Sequence, residues 1–405
     1  MKNIKLNYNR ALMKLIKRQN KQIVILLGAG AAISWRGVKT DKLRDIFIND
    51  ETFKIKDETV GKHLFDVLDN FYNTSDSNFE TFIAVLEEIM NYIIDKTNIP
   101  PTSHLPSIFD LTDTIERLFC GKNDDEMRLY SYELFRHYVN LVIEEIDKYN
   151  IELLDEKYAQ INSNLVSFTK FFLNRGYSVK FYTTNYDNLI PQILTQNNIK
   201  VYEGLSPFNV SNKRFNYKLN RFRKARVSHF NIHGSIFLHQ IMIQKYEAVC
   251  GSSMQKIPSI ALPIGAGNPH ERLLFSPIIT GYKKTQRMVG KPFNLGFGAL
   301  TNDLNDCRGL LTIGYSFSDP HINSILSSFT SWDKAKFLHV SWFDGRKFNT
   351  QGSREDYNLD YYVTPIYVKV DDNTWVHDIS ERKHIYKKGF EEFLSNRENW
   401  KYLLS

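Results

Sequence analysis

The stretch Ile23-Val24-Ile25-Leu26-Leu27-Gly28-Ala29-Gly30 indicates the fold class of this 405-residue chain. Five consecutive apolar residues that end in a glycine are typical of a β-strand whose two faces are both covered by helices. The glycines that follow allow a tight turn and a close approach of the backbone to a bound phosphate. This stretch therefore predicts the first strand of a parallel sheet, with a candidate nucleotide-binding loop at its carboxyl end.

Strands and helices alternate again from residue 161 to residue 345. A helix is predicted at 165–174, and another begins at Pro320, whose missing N–H suits the first turn of a helix. The predicted strands of this region are Ser178–Thr183, Val227–Ile232, Leu310–Ile313 and Lys336–Trp342. The alternation predicts an α/β fold, with a Rossmann-like, mostly parallel sheet flanked by helices.

Residues 50–160 interrupt this alternation. Apolar residues recur there at helical spacing, as at Val60, Leu64, Leu68 and Phe71. The region is therefore predicted to be a helical insertion into the Rossmann-like domain.

The predicted organisation has four segments. They are an N-terminal helix with the first part of the Rossmann-like domain at 1–49, the helical insertion at 50–160, the remainder of the domain at 161–345, and a C-terminal extension at 346–405. The N-terminal helix is expected at 4–20, and the extension is expected to hold a strand at Tyr362–Val370 and a helix at Ser380–Ser395.

Composition excludes several classes of protein. The three cysteines, Cys120, Cys250 and Cys307, are far apart and form no C-x-x-C pair. They cannot build a four-cysteine zinc site or a disulfide framework, which fits a reducing cytoplasm. No window reaches the ~20 apolar residues that a membrane span requires. The net charge of +7 is compatible with an anionic ligand without requiring one.

Two polar motifs follow the first two strands of the predicted sheet. The loop Gly28-Ala29-Gly30 with Ser34 is a partial dinucleotide fingerprint, because Ile33 stands where a third glycine is usual. Such a turn can also be only a packing corner. After the next strand, residues 183–187 read Thr-Thr-Asn-Tyr-Asp. Asn185 and Asp187 either reach one pocket at the strand end or cap the helix that follows.

Two further motifs follow later strands. His233-Gly234 places an imidazole at a strand end, although a lone histidine is more often structural. Gly314-Tyr315-Ser316, with Asp319 close behind, forms another strand–glycine–polar turn. It either contacts a ribose or is a capped turn.

Together the four motifs resemble the sirtuin superfamily, and more closely its zinc-less SIR2-like branch found in bacterial antiphage defence systems. Sirtuins carry a Gly-Ala-Gly loop, a Thr-Gln-Asn-x-Asp strand end, a His-Gly and a Gly-x-Ser in that order. Here the corresponding residues span about 20–345 of the chain. The defence branch is also similar in the run 314–323 and in Asn78-Phe79-Glu80.

The resemblance implies NAD as substrate and a role for each matching residue. Asn185 would hold the ribose or the attacking water, Asp187 would contact the nicotinamide carboxamide, and His233 would act as general base or polarise a ribose hydroxyl. An imidazole with a pKa near neutrality suits such a proton transfer. The remaining expected NAD contacts are Gly28, Ala29, Gly30, Ser34, Thr184, Gly314, Tyr315, Ser316 and Asp319.

Two departures from the sirtuin pattern indicate water as the acceptor. The four zinc cysteines beside the acyl-lysine groove of deacylating sirtuins are absent, and the glutamine of Thr-Gln-Asn is Thr184 here. The resemblance thus implies an NAD glycohydrolase that depletes NAD during phage infection, without zinc. The alternatives are a protein deacylase or ADP-ribosyltransferase, a non-catalytic NAD or ADP-ribose sensor, and a nucleic-acid-associated partner subunit.

Partners are suggested by the resemblance and by one basic segment. Defence-type SIR2-like domains imply a homo-oligomer or a partner such as a HerA-like ATPase or a short Argonaute. Residues Lys213–Arg226 hold seven Lys or Arg, no acid, and three aromatics, of which Phe222 is one. Such a composition suits nucleic acid, a protein interface or a solvated loop.

Overall fold

The computed structural model describes residues 21–72, 77–95, 112–152, 155–203, 219–236, 238–244, 247–252, 278, 288, 293–327, 335–342 and 368–404. The expected N-terminal helix at 4–20 and most of the expected strand at 362–370 lie outside these residues. The chain forms two compact units. The first comprises Met1–Gly37, Asn150–Ser235 and Lys291–Ser405, and the second comprises Val38–Tyr149 and Ile236–Gly290. The predicted segment boundaries remain predictions.

The first unit is built on one mostly parallel sheet. Among the described residues this sheet has nine strands, in the order β11-β12-β13-β10-β9-β1-β4-β6-β5. The strands from β13 to β5 run parallel, and β12 and β11 add an antiparallel edge. The strands of both units are β1 Gln22–Leu27, β2 Lys54–Ile55, β3 Glu58–Thr59, β4 Ser178–Thr183, β5 Tyr202–Glu203, β6 Val227–Asn231, β7 Leu238–Gln244, β8 Glu247–Ser252, β9 Gly309–Ile313, β10 Lys336–Val340, β11 Val368–Asp371, β12 Trp375–Asp378 and β13 Lys383–Tyr386.

Helices follow most of the parallel strands, so the predicted α/β, Rossmann-like fold is confirmed. The helices are α1 Thr40–Ile48, α2 Val60–Tyr72, α3 Phe79–Asp95, α4 Thr112–Leu118, α5 Asp124–Glu152, α6 Ala159–Asn174, α7 Leu189–Gln196, α8 Leu219–Lys224, α9 Phe293–Asn305, α10 Pro320–Ser327, α11 Gly389–Ser395 and α12 Arg397–Trp400. Short 3₁₀ segments lie at Ala29–Trp35, Glu156–Tyr158 and Lys401–Leu403. No described helix has the length and apolarity that a membrane span needs.

The two faces of the sheet bury different kinds of side chain. Because side chains alternate along a strand, Val179 and Phe181 lie on one face of β4, and Lys180 and Tyr182 lie on the other. The face of Val179 packs in an apolar cluster with residues of α6, α7, α11 and α12. We call it the apolar face, and we call the opposite one the polar face.

Four of the described helices of the second unit meet at an aromatic cluster. Phe47 of α1 contacts Phe82 of α3 and Tyr138 of α5, with ring centroids 5.0 and 4.9 Å apart. Phe65 of α2 stacks on Phe82 at 4.8 Å. The helical spacing noted at 60–71 is therefore that of a core helix. The β2–β3 and β7–β8 hairpins also belong to this unit.

The predicted C-terminal helix at 380–395 is wrong over its first half. Oδ1 of Asp378 accepts hydrogen bonds from the backbone N–H groups of Arg382 and Lys383, at 3.0 and 3.1 Å. Glu381 adopts a positive φ of 55°, which closes a tight turn. The chain therefore returns as strand β13 beside β10, and the helix begins only at Gly389.

Candidate functional site

The four motifs follow four strands that are neighbours in the sheet. In the sheet order these strands are β9, β1, β4 and β6. They are parallel, and Leu27 at the end of β1 is level with Thr183 of β4 and Ile313 of β9. The carboxyl ends therefore meet at one edge, the position where ligands bind in parallel α/β sheets.

The first and fourth motifs touch through their glycines. The N–H of Gly28 donates to Ile313 O at 2.9 Å, and the N–H of Gly30 donates to Gly314 O at 3.0 Å. A Cβ on Gly30 would lie 2.8 Å from Gly314 Cα, and one on Gly28 would meet Gly314 O. We call this contact the glycine seam. It uses two of the N–H groups expected to cradle phosphate, so a phosphate here would depend on other groups, such as the exposed Ala29 backbone and Ser34.

The second motif is a loop tied to both neighbouring strand ends. The N–H of Thr184 donates to Leu27 O at 3.0 Å. The N–H of Asn185 donates to Thr183 Oγ1 at 3.0 Å, and Oδ1 of Asp187 accepts from the N–H of Leu189 at 3.1 Å. The last contact shows that Asp187 does cap α7, as one of the alternatives supposed. Asp187 is buried, and Asn185 is half-buried.

The third motif positions the second. Nδ2 of Asn231 donates to Asn185 O and to Asp187 O, both at 2.9 Å. Ser235 Oγ donates to Tyr186 O at 3.0 Å. Sequence reasoning assigned no role to Asn231 or Ser235. Their position at a strand end could have identified them, because a carboxamide or hydroxyl there can donate hydrogen bonds to the carbonyl groups of an adjacent loop.

His233 and Asp319 come together from the third and fourth motifs. Nε2 of His233 lies 3.0 Å from Oδ2 of Asp319, and both residues are buried. Oδ1 of Asp319 accepts from the N–H groups of His321 and Ile322, at 2.9 and 3.2 Å, at the start of α10. One carboxylate thus holds a helix end with one oxygen and faces the imidazole with the other. Such a carboxylate orients a histidine and stabilises its protonated form.

Tyr315 and Ser316 have different environments. Tyr315 is buried, and its hydroxyl donates to Asn323 Oδ1 at 2.9 Å and contacts Asp319 O at 3.3 Å. Burial raises the pKa of this phenol well above its usual value. Ser316 is exposed, with its Oγ 2.8 Å from that of Ser318. In the turn, Ser316 is therefore open to a ligand, and Tyr315 supports the backbone.

A shallow cleft opens at this edge of the first unit, and the roughly 260 Å³ that it spans include open solvent at its mouth. It contains Asn185 and Asp187, the two residues expected to act on the ribose and carboxamide. His233, Ser316 and Asp319 do not line it. Its lining is otherwise mostly apolar and consists of Leu27, Ala31, Ala32, Trp35, Thr183, Leu189, Ile190, His229 and Phe390.

His229 is a lining residue that sequence reasoning missed. It lies on β6 opposite Phe181 and is 2% exposed. Burial lowers the pKa of its imidazole to about 3, so the ring is neutral at ordinary pH. No motif marks it, because it lies inside the predicted strand Val227–Ile232 and not at the strand end.

Residues 219–226 are the described part of the basic segment, and their one aromatic residue, Phe222, lies in the core. Phe222 is fully buried, with its ring against Tyr182, Tyr202 and Phe230 at centroid distances of 5.8–6.3 Å. It is not available to stack on a base. Residues 213–218 lie outside the described residues.

Comparison with known proteins agrees with the motifs. Residues 179–366 match the family model of the SIR2-like domain, a range that includes the second, third and fourth motifs. No curated protein matches the chain. Among the described residues, no group of three His, Cys, Asp or Glu is placed to hold a metal ion. Residues 179–366, slightly less than half of the chain, are therefore similar to a SIR2-like domain, and the SIR2-like family uses NAD.

Proposed function

We propose that this chain hydrolyses NAD to nicotinamide and ADP-ribose. The observation that carries the proposal is the convergence of four strand-end motifs at one edge of the sheet, where Asn185 and Asp187 line one cleft. The SIR2-like domain supports NAD as the substrate. The cleft is mostly apolar with a few polar groups, which is the usual character of a small-molecule site.

Each polar group has a role that its position supports. Departure of nicotinamide leaves an oxocarbenium-like ribose, so the site must orient the reactants and stabilise developing positive charge. Asp187 supplies a carboxylate and Asn185 a carboxamide in the cleft, and their loop is held by Asn231. His233, oriented by Asp319, provides the general base or the polarising group for a ribose hydroxyl.

Water is the proposed acceptor. A zinc ribbon of four cysteines cannot be built from three, so the acyl-lysine groove of deacylating sirtuins lacks its usual support. An NADase of this type would act in antiphage defence by depleting NAD, alone as a homo-oligomer or with a partner protein. Nucleic acid is a less supported partner, because Phe222 is buried.

The test is release of nicotinamide from NAD by the purified chain, with and without its genomic neighbours. We expect Asn185→Ala and His233→Ala each to lower the rate at least 100-fold, because each removes a group that acts on the reacting ribose. Thermal unfolding of both variants provides the control for folding. Unchanged hydrolysis in both variants would refute the assigned site.

A non-catalytic sensor of NAD or ADP-ribose is the second candidate. Two of the proposed site carboxylates already have structural contacts, because Asp187 binds the start of α7 and Asp319 binds the start of α10. Residues that serve the fold in this way favour a site that binds NAD without cleaving it. Calorimetric binding of NAD without release of nicotinamide, under conditions that activate the system, would support the sensor over the hydrolase.

A further inference from the structure

The buried imidazole of His229 has an unusual hydrogen-bonding state. Its Nδ1 is sealed from solvent and has no hydrogen-bond partner among the residues that the structure describes. Nε2 is not among the sealed atoms, and the described part of the chain shows no hydrogen bond to it. A neutral imidazole carries one N–H, which must sit on one of these two nitrogens.

The proton belongs on Nε2. Buried N–H groups without an acceptor are rarer than buried acceptors without a donor, so a proton on the sealed Nδ1 is the costlier choice. The ring lines the cleft, and Nε2 is its unsealed nitrogen. His229 therefore offers a neutral N–H donor to whatever occupies the cleft.

The surroundings define the group that this donor fits. Asp187 lines the same cleft and provides a carboxylate acceptor, and the aromatic rings of Trp35 and Phe390 and the side chain of Ile190 form apolar walls. One donor, one anionic acceptor and apolar walls complement a planar aromatic ring that bears a carboxamide. A carboxylate in place of the carboxamide would be repelled by Asp187.

We propose that His229 is a specificity-determining residue that donates its Nε2–H to the carbonyl oxygen of the nicotinamide carboxamide, while Asp187 accepts from the amide nitrogen. The identification of the ligand as nicotinamide rests on the proposed function. The position of the His229 donor, buried at the cleft, is independent of that function.

The experiment measures binding of nicotinamide to the full chain by ligand-detected NMR. His229→Leu removes the donor, and we expect its Kd to rise roughly tenfold, the effect of leaving one buried polar group of the ligand unpaired. His229→Gln carries an N–H near the position of Nε2 and should bind within about twofold of the wild type. His229→Asn reaches only the position of Nδ1 and should bind like the Leu variant.

Two controls separate the hydrogen bond from a general loss of structure. Ser228→Ala changes the adjacent buried residue on the polar face and should leave the Kd unchanged. The apolar analogue 3-methylpyridine lacks the carbonyl oxygen, so its affinity should be the same for the wild type and for the Leu and Gln variants. Equal nicotinamide affinity in the Leu and Gln variants, or no binding by the wild type, overturns the proposal.

The outcome is distinguishable from failure of the proposed function. A chain that binds nicotinamide through His229 but releases none from NAD retains this inference and loses the hydrolase. A chain that hydrolyses NAD while His229→Leu keeps full nicotinamide affinity retains the hydrolase and loses this inference.

Discussion

Two buried cationic-type side chains, Lys180 and His229, lie on opposite faces of the central sheet and differ in their hydrogen bonding. On the polar face Lys180 is fully buried and donates to three backbone carbonyls, and Tyr182 donates to Asp303 at 2.7 Å. On the apolar face His229 is almost as buried, yet within the described part of the chain its Nδ1 has no hydrogen-bond partner. The adjoining strands are the same, so the difference lies in what packs against them.

This difference in hydrogen bonding distinguishes side chains that stabilise the fold from a side chain that is a candidate for binding a ligand. Lys180 and Tyr182 are satisfied within the fold, because an unpaired buried ammonium or phenol is costly. His229 differs from them in that it borders a cleft, so a ligand can complete its hydrogen bonding. The comparison therefore predicts large effects on stability from Lys180 and effects on ligand binding from His229.

The largest expected effect is that of Lys180→Met. The ammonium group donates to the carbonyls of Phe222, Arg223 and Ala225 at 2.8–3.1 Å. Its loss removes the ammonium donor from the carbonyls of Arg223 and Ala225, while Phe222 O keeps a contact with the Ala225 N–H at 3.3 Å. It also removes the positive charge that favours ionised Asp303. We expect the free energy of unfolding to fall by about 3–5 kcal/mol, measured by urea denaturation.

Ser228→Ala is the matched control, since Ser228 lies on the same face and its buried Oγ has no hydrogen-bond partner in the described ranges. Its free energy of unfolding should stay within about 0.5 kcal/mol of the wild type. A loss from Lys180→Met no larger than that of Ser228→Ala would contradict a structural role for the polar face.

The next effect is a loss of stability in acid caused by His229. Its pKa is lowered from 6.5 to about 3 by burial, so between these values the unfolded chain binds a proton that the folded chain does not. Stability therefore falls as the pH drops below 6.5, and at pH 5 the loss is about 2 kcal/mol. Denaturation curves at pH 7.5 and pH 5 measure it.

His229→Gln cannot titrate, so its stability should fall about 2 kcal/mol less than that of the wild type between these two pH values. His384, whose pKa is lowered to about 4 by burial, contributes equally to both proteins and cancels in the difference. Parallel pH profiles for the two proteins would show that His229 is not buried as described.

The smallest expected effect is that of Tyr182→Phe. The substitution removes one buried hydrogen bond to Asp303 and keeps the ring in its place between the sheet and α8. We expect a loss of about 1–2 kcal/mol, because Asp303 keeps the favourable charge of Lys180. A loss as large as that of Lys180→Met would mean that the carboxylate depends on the phenol more than on the ammonium.

The sequence predicted the sheet well where strands are buried on both faces. Apolar runs such as 23–27 and 310–313 mark such strands directly. Strands β12 and β13 were missed, because they are polar and are joined by a turn that depends on the side chain of Asp378 and a positive φ at Glu381. Neither feature has a sequence signal of its own.

The candidate site was predictable to the level of its motifs and no further. The rule that ligands bind at the carboxyl ends of parallel strands predicted that the motifs around Asn185 and His233 would lie near each other. It could not predict which side chains line the cleft, because that depends on packing. His229 enters the cleft from within a strand, and His233 pairs with Asp319 outside the cleft lining.

The glycine seam changes how this loop should be interpreted in an evolutionary comparison. A methyl group on Gly28, Gly30 or Gly314 would meet main-chain atoms, and no substitution elsewhere can make a main chain smaller. Purifying selection would therefore retain all three glycines even in a descendant that had stopped using NAD. Conservation of these glycines would then indicate a shared fold and not a shared activity. Drift at Asn185 or His229 would be the earlier sign of a lost activity.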